Sequence, residues 1–428
     1  MRHVPGKTVA LGSFFLICLM VSGQPLFSGG AVAFAQSADG RPTGPYLSRL
    51  LKTTTVRPAE ELRAMWVVRD AMRNPQSIER LIDFAQQARF HMLFVQVRGR
   101  GDAFYRSRLA PPGRELEYSL EDFDPLDYLL VLARSAGISV HAWLNVYYVW
   151  SDPDAVPPDG HVVNEHPAWA LTDASGMAMF ERSVGWWVQD GLEGYYLAPT
   201  RPDVRRHFVD VVSELVAAYA IDGVHLDYIR YPTRAFGLDP EGRTEFALRW
   251  GVDPVRLRSE RPAQTAELGA AAVSMIDSIY TEERVIHIDS LVVAVRGVVG
   301  DLALSAAVVP DADEARYEKG QDWARWIHNR WLDFAVPMMY NDRPAEGLSR
   351  IRVLHNTFGH DQILPGLALH DGRSLFLADH VAALREGHVT GIALFSYNVL
   401  AEMRFPMKLI QEAFFLEAPE ASEAPEGE

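Results

Sequence analysis

Eight short apolar runs recur along the chain, and most are followed by a stretch whose apolar residues return every three or four positions. The runs are Leu62 to Val68, His91 to Arg98, Ser139 to Tyr147, Gly223 to Ile229, Leu302 to Val309, Phe334 to Tyr340, Gln362 to Leu369 and Gly391 to Tyr397. Helical spacing is plain in "SIERLIDFAQQARF", "PLDYLLVLARSAG" and "DVRRHFVDVVSELVAAYA", and Asp124-Pro125 reads as a cap and first turn with Gly137 as the stop. Strands that alternate with helices join by right-handed crossovers into a parallel sheet, and eight such units close a barrel. The chain is therefore expected to be an α/β protein, a (β/α)8 TIM barrel over residues 60–415. An open doubly wound sheet is the other arrangement this pattern allows, but the Gly-rich phosphate turn usual after its first strand is missing after Val68. Ser151 to Pro199 fits neither periodicity and should be an insertion over the barrel mouth after strand 3. A second expansion, Thr233 to about Leu268, follows strand 4.

The ends of the chain carry other information. Basic "MRHVPGK", apolar "TVALGSFFLICLMVSG" and "AVAFAQS", in which Ala33 and Ala35 frame a cleavage site, have the layout of a secretory signal peptide over residues 1–35. An uncleaved anchor is the alternative, though the apolar core is short for a spanning helix. A Pro/Gly/Ser-bearing linker, 36–59, follows, and the acidic stretch 416–428 is expected to be a disordered tail. The one cysteine, Cys18, lies inside the leader, so the mature chain should have no disulfide, thiolate metal site or cysteine nucleophile. A net charge of −15 without a basic run after the leader argues against nucleic acid, and no later apolar stretch is long enough to insert stably in a membrane. The expected location is outside the cytoplasm, periplasmic or extracellular.

In a barrel of this kind chemistry sits at the carboxyl ends of the strands. Alternation along an extended chain puts Phe94, Gln96 and Arg98 on the inner face of strand 2, His141, Trp143 and Asn145 on that of strand 3, and His225 and Asp227 on that of strand 4. Arg98, Asn145 and Asp227 are thus expected to converge, with Asp102 just beyond. They form either a ligand site or a polar network that orders the barrel top. Asp227, beside a guanidinium, would stay ionised and serve as nucleophile or charge stabiliser. Aromatic residues at the strand ends, Trp143, Tyr147, Tyr340 and Tyr397, are candidates for sugar contacts. So is Trp169 of the insertion, whose other rings, Trp150, Trp186, Trp187, Tyr195 and Tyr196, suit either stacking on sugars or a small core. His161, Glu165 and His166 lack the one-face spacing of a metal pair, so no metal or other cofactor is expected.

Seven runs, taken in order, resemble the glycosyl hydrolase-like 10 family of bacterial cell-envelope proteins: "LRAMWV" at Leu62, "VQVRGRGDAFYRSRLAP" at Val95, "HAWLNVYY" at His141, "EHPAWAL" at Glu165, "DGVHLDYIRYP" at Asp222, "QDWARWIHNRWLDFAVPMMY" at Gln321 and "GIALFSYN" at Gly391. The resemblance implies a (β/α)8 barrel that hydrolyses a polysaccharide, with bacterial wall glycan (peptidoglycan strands) the leading substrate class. Two departures stand out. Members often carry paired aspartates at the end of strand 4, where this chain has Asp227 followed by Tyr228, and Ile229 occupies the position of the glutamate acid in the related chitinase-type strand. Hydrolysis takes two carboxyl groups. Asp227 supplies one; for the second, Glu314 and Asp313 after strand 5 rank ahead of Asp311, Asp342 and Asp102. A glycan receptor with the same barrel and no turnover is the alternative function.

Overall fold

The computed structural model describes Leu47 and residues 61–415, apart from 174, 184, 185, 190, 191, 238 and 239. The segments expected to be a leader, which holds Cys18, and a tail, and all of the expected linker but Leu47, lie outside the described residues. Eight parallel strands appear where the apolar runs lie: β1 (Leu62–Val67), β2 (Met92–Arg98), β3 (Ser139–Asn145), β4 (Gly223–Asp227), β5 (Ala303–Val308), β6 (Phe334–Pro337), β7 (Gly366–Ala368) and β8 (Gly391–Phe395). They are hydrogen-bonded in the order β6-β5-β4-β3-β2-β1-β8-β7. Between β6 and β7 the ladder thins to two isolated bridges, Ala335 with Ile363 and Met338 with Gly366, and these bring the ends of the sheet together. The result is the expected (β/α)8 barrel with a loose seam.

Period-two alternation sorts the side chains. Trp66, Phe94, Trp143, Phe334, Val336 and Leu364 fill the barrel interior, while Met65, Val67, Leu93, Val95, Val140, Val224 and Leu226 join the layer beneath the helices. Burial of each large apolar side chain is worth roughly 1.5–3 kcal/mol, and a one-residue slip of a strand would exchange its interior and helix-facing sets and disrupt the packing of both layers. Helices start and stop where the local chemistry dictates. Asp124 Oδ1 accepts from the backbone N–H groups of Leu126 and Asp127, Pro125 opens the helix Pro125–Ser135, and Gly137 follows at φ +70°.

Alternation breaks once. Gln96 pairs with Trp143 but Arg98 pairs with Leu144, so β2 advances two residues while β3 advances one. Such a bulge inverts the parity of everything after it. Arg98 consequently leaves the inner face, contrary to the sequence expectation, and its guanidinium lies 5.8 Å from the Phe208 ring of the helix Pro202–Ala218.

The two expansions behave differently. After β3 the chain forms an antiparallel ribbon, Tyr148–Trp150 with Tyr195–Tyr196, and the segment it encloses is held by short helical turns. After β4, three helices between Pro240 and Leu268 and the first turns of the long helix Ala270–Val299 enclose a core of their own made by Phe246, Val252, Leu257, Val273, Ile276 and Tyr280.

Candidate active site

A cavity of about 650 Å³ opens at the carboxyl ends of the strands. Asp227, the last residue of β4, reaches it, joined by Gln96 from β2, Trp143 and Asn145 from β3, Met338 and Tyr340 after β6, and Phe395 from β8. Asn145 stands in register with Asp227. Its amide is fixed at both ends, accepting from the Trp143 indole N–H at 3.1 Å and donating to the Gly99 carbonyl at 2.8 Å. His225 lies one layer deeper. Its Nε2 accepts from the Trp66 indole at 3.0 Å, which leaves Nδ1 as the donor to Ser305 Oγ at 2.9 Å, and its ring stacks on Phe94. Burial drives its pKa well below the usual value. This histidine is a neutral part of the barrel filling and does not line the cavity.

Burial is also the dominant influence on Asp227 and raises its pKa from 3.8 to about 6. Arg230, the Tyr228 N–H and the Trp143 indole oppose the rise, and Glu193 adds to it. Without Arg98 beside it, Asp227 is not the strongly ionised carboxylate that the sequence suggests. The next residue, Tyr228, takes a left-handed conformation at φ +50°, which costs a non-glycine residue about 1–3 kcal/mol. That turn aims its N–H at Asp227 Oδ1 (2.7 Å) and lays its ring on Tyr148 of the ribbon, with centroids 4.4 Å apart.

A second carboxyl group on the wall comes from the insertion. Glu193 accepts from the Tyr228 hydroxyl at 3.2 Å and from the Tyr196 hydroxyl at 2.9 Å, and Arg230 Nη2 lies 3.8 Å from it. The Arg230 guanidinium sits 4.8 Å from the Tyr228 ring centroid. Burial works against its charge, but Tyr196, Glu193, Asp227 and Tyr228 hold its pKa above the usual value. Asp227 and Glu193 thus share one cavity with a cation between their environments, and half of the Glu193 side chain stays open to solvent.

Other residues expected at the site lie elsewhere. Besides reaching Phe208, Arg98 donates to the Asn145 carbonyl at 2.7 Å, a link to the site's backbone and not to its cavity. Asp102 closes the turn after β2, accepting from the N–H groups of Gly99 and Arg100. Tyr147 is fully buried near Arg205 of the helix Pro202–Ala218, and Tyr397 packs on Phe84 of the helix Pro75–Gln87. Trp169 stacks on His166, while Trp150, Trp186, Trp187, Tyr195 and Tyr196 are buried and join the large core beneath the helices. Asp313 and Glu314 are exposed in the first turn of the helix Ala312–Lys319, their N–H groups capped by Asp311. They do not line the cavity; Lys319, at the other end of that helix, does. Among the described residues no cluster of His, Cys, Asp and Glu could hold a metal ion. Reasoning from strand parity missed Glu193, Arg230, Tyr148 and Lys319. Arg230 sits three residues past Asp227 and could have been taken from "DYIRYP", whereas Glu193 reaches the site only because the ribbon folds back.

Comparison with known proteins agrees with the barrel. A family model described as Glycosyl hydrolase-like 10 matches residues 59–364. Among curated proteins, Glycosyl hydrolase DigH of Escherichia coli O6:H1 is 22% identical over 315 residues, covering 67% of this chain and 67% of that protein. Glycosyl hydrolase YngK of Bacillus subtilis is 25% identical over 211 residues, covering 45% of this chain and 38% of YngK, so the match spans well under half of that relative. Among solved structures, the glycoside hydrolase domain of PgaB (BpsB) from Bordetella bronchiseptica superposes with a TM-score of 0.60 at 16% identity, covering 83% of this chain and 100% of that one. The catalytic domain of the β-amylase from Paenibacillus polymyxa gives 0.52 at 10% identity, covering 83% and 98%. At such identities the structural likeness is one of fold. The family match runs from the approach to β1 almost to β7, over the strands that carry Asp227 and its neighbours, and by it this chain belongs to the glycosyl hydrolase-like 10 family.

Proposed function

We propose that the chain is a glycoside hydrolase in which Asp227 and Glu193 act as the carboxyl pair on a polysaccharide, with bacterial wall glycan as the substrate. The observation that carries this reading is the placement of a buried carboxyl of raised pKa and a hydrogen-bonded carboxylate on one cavity at the catalytic end of the barrel. A carboxyl titrating near pH 6 can be protonated when substrate arrives, and closure of the site by sugar shifts it further in that direction. Asp227 is therefore the proton donor to the leaving oxygen. Glu193, held as an acceptor by two phenols and faced by Arg230, is the nucleophile or the base that activates water. Trp143 and Tyr340 line the cavity as aromatic surface for the sugar rings. Wall glycan comes from the family resemblance, and the leader-like N-terminus supports export to the periplasm or beyond, where that polymer lies.

The test is the pH dependence of kcat/KM on peptide-free wall glycan, read from new reducing ends. A proton donor must be protonated, so activity falls as pH rises through about 6. Were Asp227 the nucleophile, activity would instead rise through that pH. Glycan binding without any new reducing ends would replace the enzyme by a receptor.

A further inference from the structure

A second cavity of about 650 Å³ lies beside the first, where the loops after β6 and β7 meet at the loose seam of the barrel. Tyr340 and Asn341 line both cavities, so the two are neighbours along one surface. The second has the size of a small-molecule site, within the range of roughly 300–1,000 Å³ typical of such sites. At its edge stands Phe376, whose large ring is 54% exposed, next to Leu375 at 82%.

The charged groups there are largely matched among themselves. Asp342 is held by Arg350 through contacts of 2.7 and 3.2 Å, and Asp371 meets Arg373 at 3.2 Å and His370 at 2.8 Å. Arg373 in turn donates to the Tyr340 carbonyl at 2.6 Å and to Asn341 Oδ1 at 2.7 Å, which fixes the two residues shared with the first cavity. Apart from the exposed Arg343, the charges on this lining are paired, so the surface is close to neutral, and it keeps carboxylate and amide groups that can accept from or donate to hydroxyls. An exposed aromatic ring beside paired, hydroxyl-compatible groups suits the apolar face and polar edge of a pyranose.

We propose that this second cavity is a subsite for a further uncharged sugar unit of the same glycan chain, with Phe376 as its stacking platform, so that the enzyme engages a chain that extends past the bond being cleaved. The inference rests on the glycosidase reading, and its test keeps the two apart. Phe376→Ala and Phe376→Trp are compared with the unsubstituted protein on a disaccharide and on long peptide-free wall glycan, with melting temperature as a check on folding. Loss of the ring is expected to raise KM for the long glycan roughly tenfold while changing kcat little; the effect on the disaccharide should be the smallest, and the tryptophan variant should restore the long-chain value. Equal effects on both substrates, or none on either, would overturn the subsite even if Asp227→Asn abolishes hydrolysis and so upholds the reading on which it rests. If the unsubstituted protein hydrolyses nothing, calorimetric titration with the same glycans decides. Weaker binding of the long chain alone in Phe376→Ala supports the subsite, and no binding of either glycan sinks both the subsite and the glycosidase reading.

Discussion

Replacing Asp227 by asparagine should make the protein more stable as well as inactive. The carboxyl is buried, and its pKa stands near 6 against 3.8 for the free side chain, a rise of about two units. At about 1.4 kcal/mol per unit, the ionised form costs the native state ~3 kcal/mol as an upper figure. The direction follows from proton linkage. Between pH 3.8 and about 6 the folded chain binds the proton more tightly than the unfolded one, so stability falls as pH rises through that window and stays lower above it. Asparagine has the same shape, its Oδ1 can still accept from the Tyr228 N–H, and it never ionises. The gain should thus approach ~3 kcal/mol at pH 7.5, several degrees in Tm, and vanish near pH 4. Thermal melts of both proteins across pH 4 to 8 measure this directly, and initial rates on wall glycan should fall by orders of magnitude in the same preparation. A variant no more stable than the parent at pH 7.5, or equally stabilised at pH 4 and 7.5, would refute the burial argument.

Glu193→Gln should abolish turnover to a similar extent while shifting Tm little, because half of this side chain already faces water; chemical denaturation alongside reducing-end assays checks both parts. Arg98→Ala should cost roughly 2–4 kcal/mol, from a lost buried contact and an orphaned Asn145 carbonyl, yet change kcat/KM per folded molecule far less than either carboxyl substitution, since the guanidinium lies outside the cavity.

The barrel could be read from the chain because eight strands buried on both faces leave unbroken apolar runs, and the helices between them keep a different period. Asp227, Asn145, Trp143 and Tyr340 could be placed at the mouth by the same alternation. Arg98 could not: its side is decided by a bulge that adds one residue to β2, and nothing in "VQVRGRG" marks where the ladder skips. Asp313 and Glu314 illustrate a different difficulty. A carboxyl run after a strand reads equally well as an acid site or as the first turn of a helix, and here Asp311 caps that turn and leaves the other two in solvent. Glu193 was hidden for a third reason. Its position depends on pairing across more than forty residues of irregular chain, which no local period encodes.

That pairing also ties the insertion to the site. Backbone N–H groups of Val146 and Tyr147, at the foot of the ribbon, donate to the carbonyls of Asp227 and Tyr228, and Tyr148 covers the Tyr228 ring. The ribbon is thereby tied to the residue that follows Asp227. Burial among these residues and the aromatic strand ends of the barrel holds the Asp227 carboxyl above its usual range, to about 6. Displacing the ribbon would carry Glu193 away from the cavity that Asp227 reaches. A barrel without the seated ribbon would keep Asp227 at the end of β4 but would lack Glu193, the other half of the proposed pair.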